Sequence, residues 1–261
     1  MSPIKYITSR WHKYNFLFVE LVKRDFKKKY KRTVLGIVWS LLAPLAQLLF
    51  MTLIFGQFFG AAIPHFVIFV FSGLLVYQFY VSATTGGMNS IVANGDIITK
   101  TNAPKYIFLL SSNVSALINF GMTLVIYFLL AAIDGVPINL RLLLLLYPIT
   151  CLLILNIGVG LIISTLYVFF RDLQYLYGIF TMLLLWVSAV IHPVHVFPVT
   201  IQRLFILNPI FTYIQYFRLV VLYGAVPSLN MHLIAGFYAL FAFTVGCFIY
   251  WRYNHKFVYY F

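Results

Sequence analysis

Residues that could do chemistry are few and scattered in this sequence. The 261-residue chain has five acidic residues, two cysteines and six histidines. None of them has the spacing of a phosphate-binding loop, a dinucleotide-binding glycine motif, a zinc-protease helix or a nucleophile elbow. Cys151 and Cys247 lie in separate apolar runs, so neither a disulfide framework nor a metal site is expected. The sequence predicts no catalytic residue, no metal and no cofactor bound by this chain.

His192 and His195 are the two histidines that lie closest together. They could line a polar passage, but we favour the interpretation that they are hydrogen-bonded groups at a membrane interface. Asp134 alone gives little support for a membrane glycosyltransferase, which would need a positioned carboxylate.

The composition excludes a water-soluble globule. Hydrophobic residues make up 63% of the chain and charged residues 9%, against about 25% charged residues in soluble domains. Six charge-free runs are long enough to cross roughly 30 Å of hydrocarbon. They are 34–59, 66–83, 106–133, 142–170, 173–191 and 231–251. We therefore expect an all-α membrane protein with six transmembrane helices, in which 1–33 form a basic tail and 34–261 the membrane domain.

The basic residues predict the orientation of these helices. Ten of the eighteen lysines and arginines precede Val34, and fifteen fall on the cytoplasmic side if the N-terminus is placed inside. Only Arg141, Arg203 and Arg218 then lie outside. Because the charge is a tail feature, anionic lipid is the expected partner and nucleic acid is not. No cleavable signal peptide is expected.

The segment 16–32 differs from the spans because its apolar and basic residues alternate with helical spacing. Phe18, Leu21, Val22, Phe26 and Tyr30 form one side, and the opposite side is basic, ending with Lys31 and Arg32. This pattern predicts an amphipathic helix in the plane of the membrane. It would act either as a lever beside a partner or as a plain anchor, and the sequence leaves both open.

The stretch 191–230 is too rich in proline for one helix and too apolar for a solvated loop. We expect it to dip into the outer face of the membrane, where irregular backbone needs protein or a water-filled cavity around it. It is a candidate outer gate, with a plain interfacial cap as the alternative. The gate residues would be His192, His195, Phe197, Phe205 and Phe211.

Two inner connections are candidates for contact with a partner. Asn94 and Asp96 form a helix-start signal before Ile97 and Ile98, which a short helix could present to a groove together with Lys100. Pro104 would end that helix and direct the next span. At the other connection, Arg171 and Asp172 would cap helix ends or pair with partner charges.

No predicted span has an ionisable residue at its middle, where an ion-coupled carrier would need one. Energy for directed transport must then come from a partner ATPase. An ion-coupled flippase for lipid-linked sugars and a membrane glycosyltransferase are the alternatives.

Short motifs along the chain are similar to those of one known family. They are Arg24-Asp25-Phe26, the run from Tyr30 to Gly36, Trp39-Ser40-Leu41-Leu42, Pro44, Ser72-Gly73-Leu74-Leu75, Ile98 to Pro104, Phe170-Arg171-Asp172-Leu173 and Asn208-Pro209. Together they resemble the membrane subunit of ABC transporters that export O-antigen, capsule and teichoic-acid polymers. The segment from His192 to Pro198 departs from the compact proline-aromatic-proline pattern of that family.

The resemblance implies a homodimer of six-span subunits with two separate nucleotide-binding ATPase subunits, which would carry the ATP and magnesium. It implies a channel at the dimer interface for a glycan linked to polyprenyl diphosphate. It also implies a bacterial plasma-membrane location with both termini in the cytoplasm, an amphipathic gate helix and short helices at the outer face.

Overall fold

The computed structural model describes residues 3–30, 36–101 and 103–260. Within these ranges the chain is all-helical and contains no strand, as the sequence predicts. The α-helices are α1 Pro3–Tyr30, α2 Trp39–Phe59, α3 Phe66–Val92, α4 Gly95–Lys100, α5 Tyr106–Ile133, α6 Leu146–Phe169, α7 Leu173–Val187, α8 Val199–Phe205, α9 Pro209–Val221 and α10 Leu229–Tyr253. Short 3₁₀ helices occupy Gly36–Val38, Leu140–Leu145, Val194–Val196 and Asn254–Tyr260.

Five helices in the described ranges are long and apolar enough to cross a membrane: α2, α3, α5, α6 with its preceding 3₁₀ turn, and α10. The pair α8 and α9 is bent by 98° and counts as a sixth if it is taken as one broken span. A bent, re-entrant pair before the last span is what the proline-rich stretch predicts. The protein is therefore an integral membrane protein.

The predicted fifth span, 173–191, is helical only over α7. Its 15 residues extend about 22 Å, less than the roughly 30 Å of a hydrocarbon core. The helix ends because the backbone turns at Ala189, whose φ of 52° lies in the left-handed region. A membrane assignment from apolar length alone does not detect such a turn.

The helices alternate in direction, so the connections collect at two ends of the bundle. The basic end holds α1, α4, the 3₁₀ segment Asn254–Tyr260 and the start of α7. The proline-rich end holds α8, α9 and the turns at His65 and Asp134, whose Nδ1 and Oδ2 atoms are 2.8 Å apart. We use these two names below.

Helix α3 is the centre of the bundle and packs against α2, α5, α6 and α9. More than three quarters of its most apolar window is buried. Its first half is apolar all round, as expected for a helix enclosed by other helices. Because it touches most of the other spans, α3 fixes their relative positions.

Helices α6 and α10 make the closest helix pair. A Cβ atom added at Gly158 would lie 2.4 Å from the backbone of Ala242 and Phe243, and one at Gly246 would lie 2.3 Å from the carbonyl oxygen of Gly158. Small residues allow such backbone approach in membrane helices. The close approach holds α6 and α10 together, and α6 also packs against α3.

Helix α1 starts earlier than the predicted segment 16–32 and packs along α5. Leu21, on the predicted apolar stripe, is 3% exposed and joins a cluster with Ile107 and Phe108 of α5. Phe18, Val22 and Phe26 are half-buried, whereas Phe16 is exposed. Lys31 and Arg32, with the side chain of Tyr30, lie outside the described residues.

Candidate functional site

A groove whose walls carry polar side chains among apolar ones runs between α1, α2, α3 and α5. It consists of two adjoining cavities of about 550 Å³ and 540 Å³. The cavities share Gln78, Ser82, Ala116 and Asn119 as wall residues. The groove therefore extends continuously from the level of Asp25, near the basic end, toward the middle of the bundle.

The groove walls come from two polar stripes with helical spacing. On α3 they are Gln78, Ser82, Thr85 and Asn89, and on α5 they are Ser112, Ser115, Asn119 and Thr123. Residues three and four apart share one face of a helix, so each stripe faces the same cavity. Sequence reasoning missed this site, although polar residues at helical spacing in an apolar span are a recognised signal for a functional face.

Amide and carboxylate groups occupy defined positions in the groove. The Gln78 amide donates to the Gln47 side-chain oxygen at 2.8 Å, which joins α3 to α2. Asp25 of α1 accepts hydrogen bonds from Arg24 at 2.7 and 3.0 Å and from the Ser111 hydroxyl at 3.2 Å. The Ser115 hydroxyl reaches the carbonyl of Val22 at 3.5 Å. These contacts place α1 beside the groove.

Two aromatic rings lie in the wall of the groove. Phe79 and Phe120 both line the cavity, with ring centroids 4.6 Å apart. The ring of Phe217 from α9 lies behind them, 6.5 Å from Phe120 and fully buried. These rings form an apolar part of the groove wall on the side of α9.

Arg218 follows Phe217 in α9 and is fully buried, with 0% exposure. Its nitrogens donate to the carbonyls of Ala189 at 2.9 Å, Val190 at 2.7 Å and Phe69 at 3.2 and 3.3 Å, and to the Ser72 hydroxyl at 3.4 Å. The guanidinium also lies 3.5 Å from the centroid of the Phe69 ring. We call these five residues the Arg218 cluster. Its cation bonds to backbone carbonyls, and no salt bridge to it is present within the described residues.

The Arg218 cluster explains why α7 ends where it does. Carbonyls just past the C-terminus of a helix lack partners in that helix and carry partial negative charge. Arg218 satisfies two of them, and the Asn208 amide donates to the Ser188 hydroxyl at 2.8 Å and the Val187 carbonyl at 3.3 Å. The sequence signal for this role was a lone arginine in the apolar stretch of α9, which charge counting alone assigned to the outside.

The predicted outer-gate residues come together at the proline-rich end. The rings of His192 and Phe197 are 5.0 Å apart, those of Phe197 and Phe205 5.5 Å, and those of Phe205 and Phe211 5.3 Å. The His192 Nε2 is 3.2 Å from the Trp186 carbonyl. Burial lowers the pKa of His192, which favours the neutral ring. Of His195 only the backbone, in Val194–Val196, is described.

The predicted short helix at the basic end exists as α4. Asn94 precedes it, but its amide donates back to the Ser90 carbonyl at 2.6 Å, and no side-chain cap is made. Ile98 points inward with 5% exposure, against Leu21 and Phe257, so it is not available to a partner as the sequence interpretation assumed. Ile97, the preceding position on the helix, is rotated by about 100° from Ile98. Its side chain is half-buried and therefore only partly accessible.

The outward face of α4 carries Asp96, Thr99 and Lys100, all exposed. Pro104 lies between α4 and α5, and its carbonyl accepts a hydrogen bond from the Ile107 amide at 3.1 Å. At the other connection Arg171 and Asp172 are also exposed. The surface formed by Asp96, Lys100, Arg171 and Asp172 is therefore polar.

The segment Asn254–Tyr260 connects these two surfaces. Lys105 donates to the Asn254 carbonyl and lies 5.2 Å from the Phe257 ring centroid, and burial lowers its pKa. Arg171 donates to the Tyr260 carbonyl at 3.4 Å. Because Phe257 is fully buried beside Ile98, α4 and the end of α6 are braced by the same segment.

The described residues thus form a helical membrane bundle with a groove between α1, α2, α3 and α5 and a short braced helix, α4, at the basic end. The family model for the ABC-2 type transporter matches residues 17–222. The chain belongs to this family. The match begins in α1 and ends at the last turn of α9, so it includes the groove and the Arg218 cluster.

Curated relatives cover most of the chain. The O-antigen export system permease protein RfbA of Klebsiella pneumoniae is 28% identical over 204 residues, 77% of this chain and 78% of the relative. RfbA of Myxococcus xanthus is 29% identical over 70% of each chain. The polysialic acid transport protein KpsM of Escherichia coli is 22% identical over 80% of this chain and 82% of the relative. The similarity to polysaccharide export permeases that the sequence motifs predict is confirmed.

Proposed function

We propose that this chain is the permease subunit of an ATP-driven polysaccharide exporter in a bacterial plasma membrane. Two copies would pair with two nucleotide-binding ATPase subunits, which carry the ATP and magnesium. The cargo would be a glycan of the O-antigen, capsule or teichoic-acid type, linked to polyprenyl diphosphate. Both termini would face the cytoplasm.

The continuous polar groove carries this proposal. A glycan crossing a membrane needs hydrogen-bond partners along its path, because unsatisfied polar groups in a hydrocarbon core cost several kcal/mol each. Gln47, Gln78, Asn119 and Thr123 offer such partners. In this proposal the groove is one wall of the export path, and the second copy provides the other wall.

The proposed path has a gate at each end. Helix α1 lies beside the groove at Ser111 and Ser115, so a shift of α1 would widen the entrance. The rings of Phe79, Phe120 and Phe217, which lie close together, would form the far gate, with the His192 and Phe205 rings beyond. ATP-driven closure of the partner would act on α4, which is braced to α6 and α10 through Phe257.

Affinity purification of the tagged chain from native membranes tests the assembly. We expect two copies of the chain, two ATPase subunits and a lipid-linked glycan. Exchanging the charges of Asp96 and Lys100, as Asp96→Lys with Lys100→Glu, should reduce ATPase recovery while the chain stays in the membrane. Arg203→Glu, at the proline-rich end, is the matched control and should retain the ATPase.

Two outcomes would contradict the proposal. Purified chain that transfers sugar without a partner would identify a glycosyltransferase. Reconstituted chain that moves a lipid-linked sugar in response to an ion gradient, without ATP, would identify an ion-coupled flippase.

A further inference from the structure

A third cavity, of about 450 Å³, opens at the proline-rich end. It shares no described wall residue with the two groove cavities, and it lies between the turn before α3, the turn after α7 and one face of α9. Its wall includes Pro64, Phe69, Pro193, Phe211, Gln215 and Tyr223. Small-ligand sites of this volume are lined mainly by apolar and aromatic side chains with a few polar groups among them. The cavity has that composition.

The polar groups of the cavity come from one side of α9. Phe211 and Gln215 are four residues apart, so they share a face of the helix. Tyr223 follows shortly after Val221, the last residue of α9. Gln215 is half-buried and Tyr223 is 61% exposed, and neither side chain hydrogen-bonds to another described residue. The cavity therefore presents an amide, which both donates and accepts, and a phenol hydroxyl to a ligand.

Two phenylalanine rings in the wall are held in place by their neighbours. The Arg218 guanidinium lies 3.5 Å from the centroid of the Phe69 ring, and the Phe205 ring lies 5.3 Å from that of Phe211. Both Phe69 and Phe211 are less than 10% exposed. Rings that are already fixed lose little conformational freedom when a ligand packs on them, which favours binding.

A sugar residue matches this combination of groups. Its C–H groups form an apolar face that can pack on an aromatic ring, whereas its hydroxyls donate and accept hydrogen bonds. An acyl chain would fill the cavity but leave the Gln215 amide without water and without a partner, which costs free energy. The chemistry of the wall therefore favours a carbohydrate over a lipid chain.

The cavity adjoins the predicted outer gate. Phe211 belongs to both, and Pro193 and Val194 of the cavity wall directly follow His192. We infer that this cavity is a glycan subsite, in which one sugar residue of the exported polymer packs on the rings and bonds to Gln215 and Tyr223. The inference rests on the proposed export function, in which a polymer that has passed the gate meets the cavity as it leaves the bundle. A sugar held there opposes the return of the polymer.

Saturation-transfer NMR on the purified full chain in lipid nanodiscs tests the subsite. The probe is the set of oligosaccharides that mild acid releases from the surface polysaccharide lost when the gene is deleted in the source bacterium. Saturation of aromatic protons of the protein should reach the C–H protons of the sugar, because these pack on the rings.

Gln215→Leu removes the amide at nearly constant size and should weaken binding about fivefold, the equivalent of one neutral hydrogen bond. Tyr223→Ala removes a ring and a hydroxyl and should weaken binding about tenfold, whereas Tyr223→Phe keeps the ring and should lose less. Asn230→Leu removes an exposed amide at the same end but outside the cavity, so it should bind like the wild type. Thermal unfolding of each variant checks that the fold is kept.

The outcomes separate the subsite from the proposed function. Because Tyr223 is exposed, its variants should fold even if Gln215→Leu does not. A wild-type chain that gives no sugar signal, or a folded Tyr223→Ala variant that binds as tightly as the wild type, would overturn the subsite and leave polysaccharide export standing. If deletion of the gene removed no surface polymer, the proposed function would be wrong, and the subsite with it.

Discussion

The two halves of α3 differ in their surroundings. From Phe66 to Val76 nearly every side chain is buried, and Phe69 and Ser72 contribute to the Arg218 cluster. From Gln78 to Asn89 the same helix lines a polar groove. One span therefore has a buried, mostly apolar half and a half that lines the groove, and the change occurs within one turn.

The chemistry of the two regions predicts different roles in stability. The Arg218 cluster joins α3, α7 and α9 through hydrogen bonds that water cannot replace. Groove residues such as Ser82 are exposed and leave room between helices. Substitutions in the cluster should therefore unfold the protein, whereas substitutions in the groove should affect transport.

Arg218→Leu should have the largest effect. The substitution leaves the carbonyls of Ala189 and Val190 buried without their arginine donor, and each such group costs about 1 to 3 kcal/mol. We expect a loss of about 3 to 5 kcal/mol in unfolding free energy, measured by thermal unfolding in lipid nanodiscs. Arg203→Leu is the matched control because Arg203 is exposed on the neighbouring α8. Equal stability of the two variants would show that the cluster does not hold the bundle together.

Gly73→Ala should destabilise less. A Cβ atom at Gly73 would lie 3.0 Å from the Cα and carbonyl oxygen of Val190, and backbone atoms cannot move aside easily. Overpacking of this kind costs about 1 to 3 kcal/mol. At Gly121 of α5 nothing lies within 4 Å of the added atom, so Gly121→Ala should stabilise by about 0.5 to 1 kcal/mol through helix propensity. Shifts of the same sign in thermal unfolding would contradict the tight contact.

The sequence predicts five of its six expected spans, the amphipathic α1 and the bent stretch before the last span, because these depend on local pattern. Apolar length and the 3.6-residue period are properties of consecutive residues. The grouping of His192, Phe197, Phe205 and Phe211 also follows from one short apolar stretch rich in proline.

What the sequence did not predict depends on contacts between distant segments. Arg218 bonds to residues near positions 69 and 189, and no local pattern predicts that meeting. The inward direction of Ile98 depends on Phe257, more than 150 residues away. The groove needs stripes from α3 and α5 to face each other, which single-helix periodicity cannot show.

The His192 site should make the proline-rich end sensitive to acid. Burial lowers the pKa of His192 in the folded protein below the usual histidine value of about 6.5. The unfolded chain then binds the proton more readily than the folded protein. The stability from this site is therefore present above the usual histidine pKa and is lost as the pH falls through the lower pKa of the folded protein. Thermal unfolding should shift down on acidification in the wild type and less in His192→Gln. His255→Gln, exposed at the basic end, should behave like the wild type.

The smallest effect on stability is expected in the groove, where Ser82→Phe should leave the unfolding free energy within about 0.5 kcal/mol. Ser82 is exposed, and its hydroxyl makes only a local bond to the Phe79 carbonyl at 3.2 Å. The added ring has room in the adjoining cavities of about 550 Å³ and 540 Å³, so the helices need not separate. The same ring obstructs the polar path, and surface polysaccharide should be lost although the protein remains folded.

Thr244→Phe is the matched control, since Thr244 is exposed on α10, away from both cavities, and should export normally. We expect Arg218→Leu to lose the fold, whereas Ser82→Phe should lose only transport. If Ser82→Phe unfolded the protein as Arg218→Leu does, the groove would be a packed interior and not an open path. If it stayed folded and exported normally, the path would lie elsewhere in the bundle.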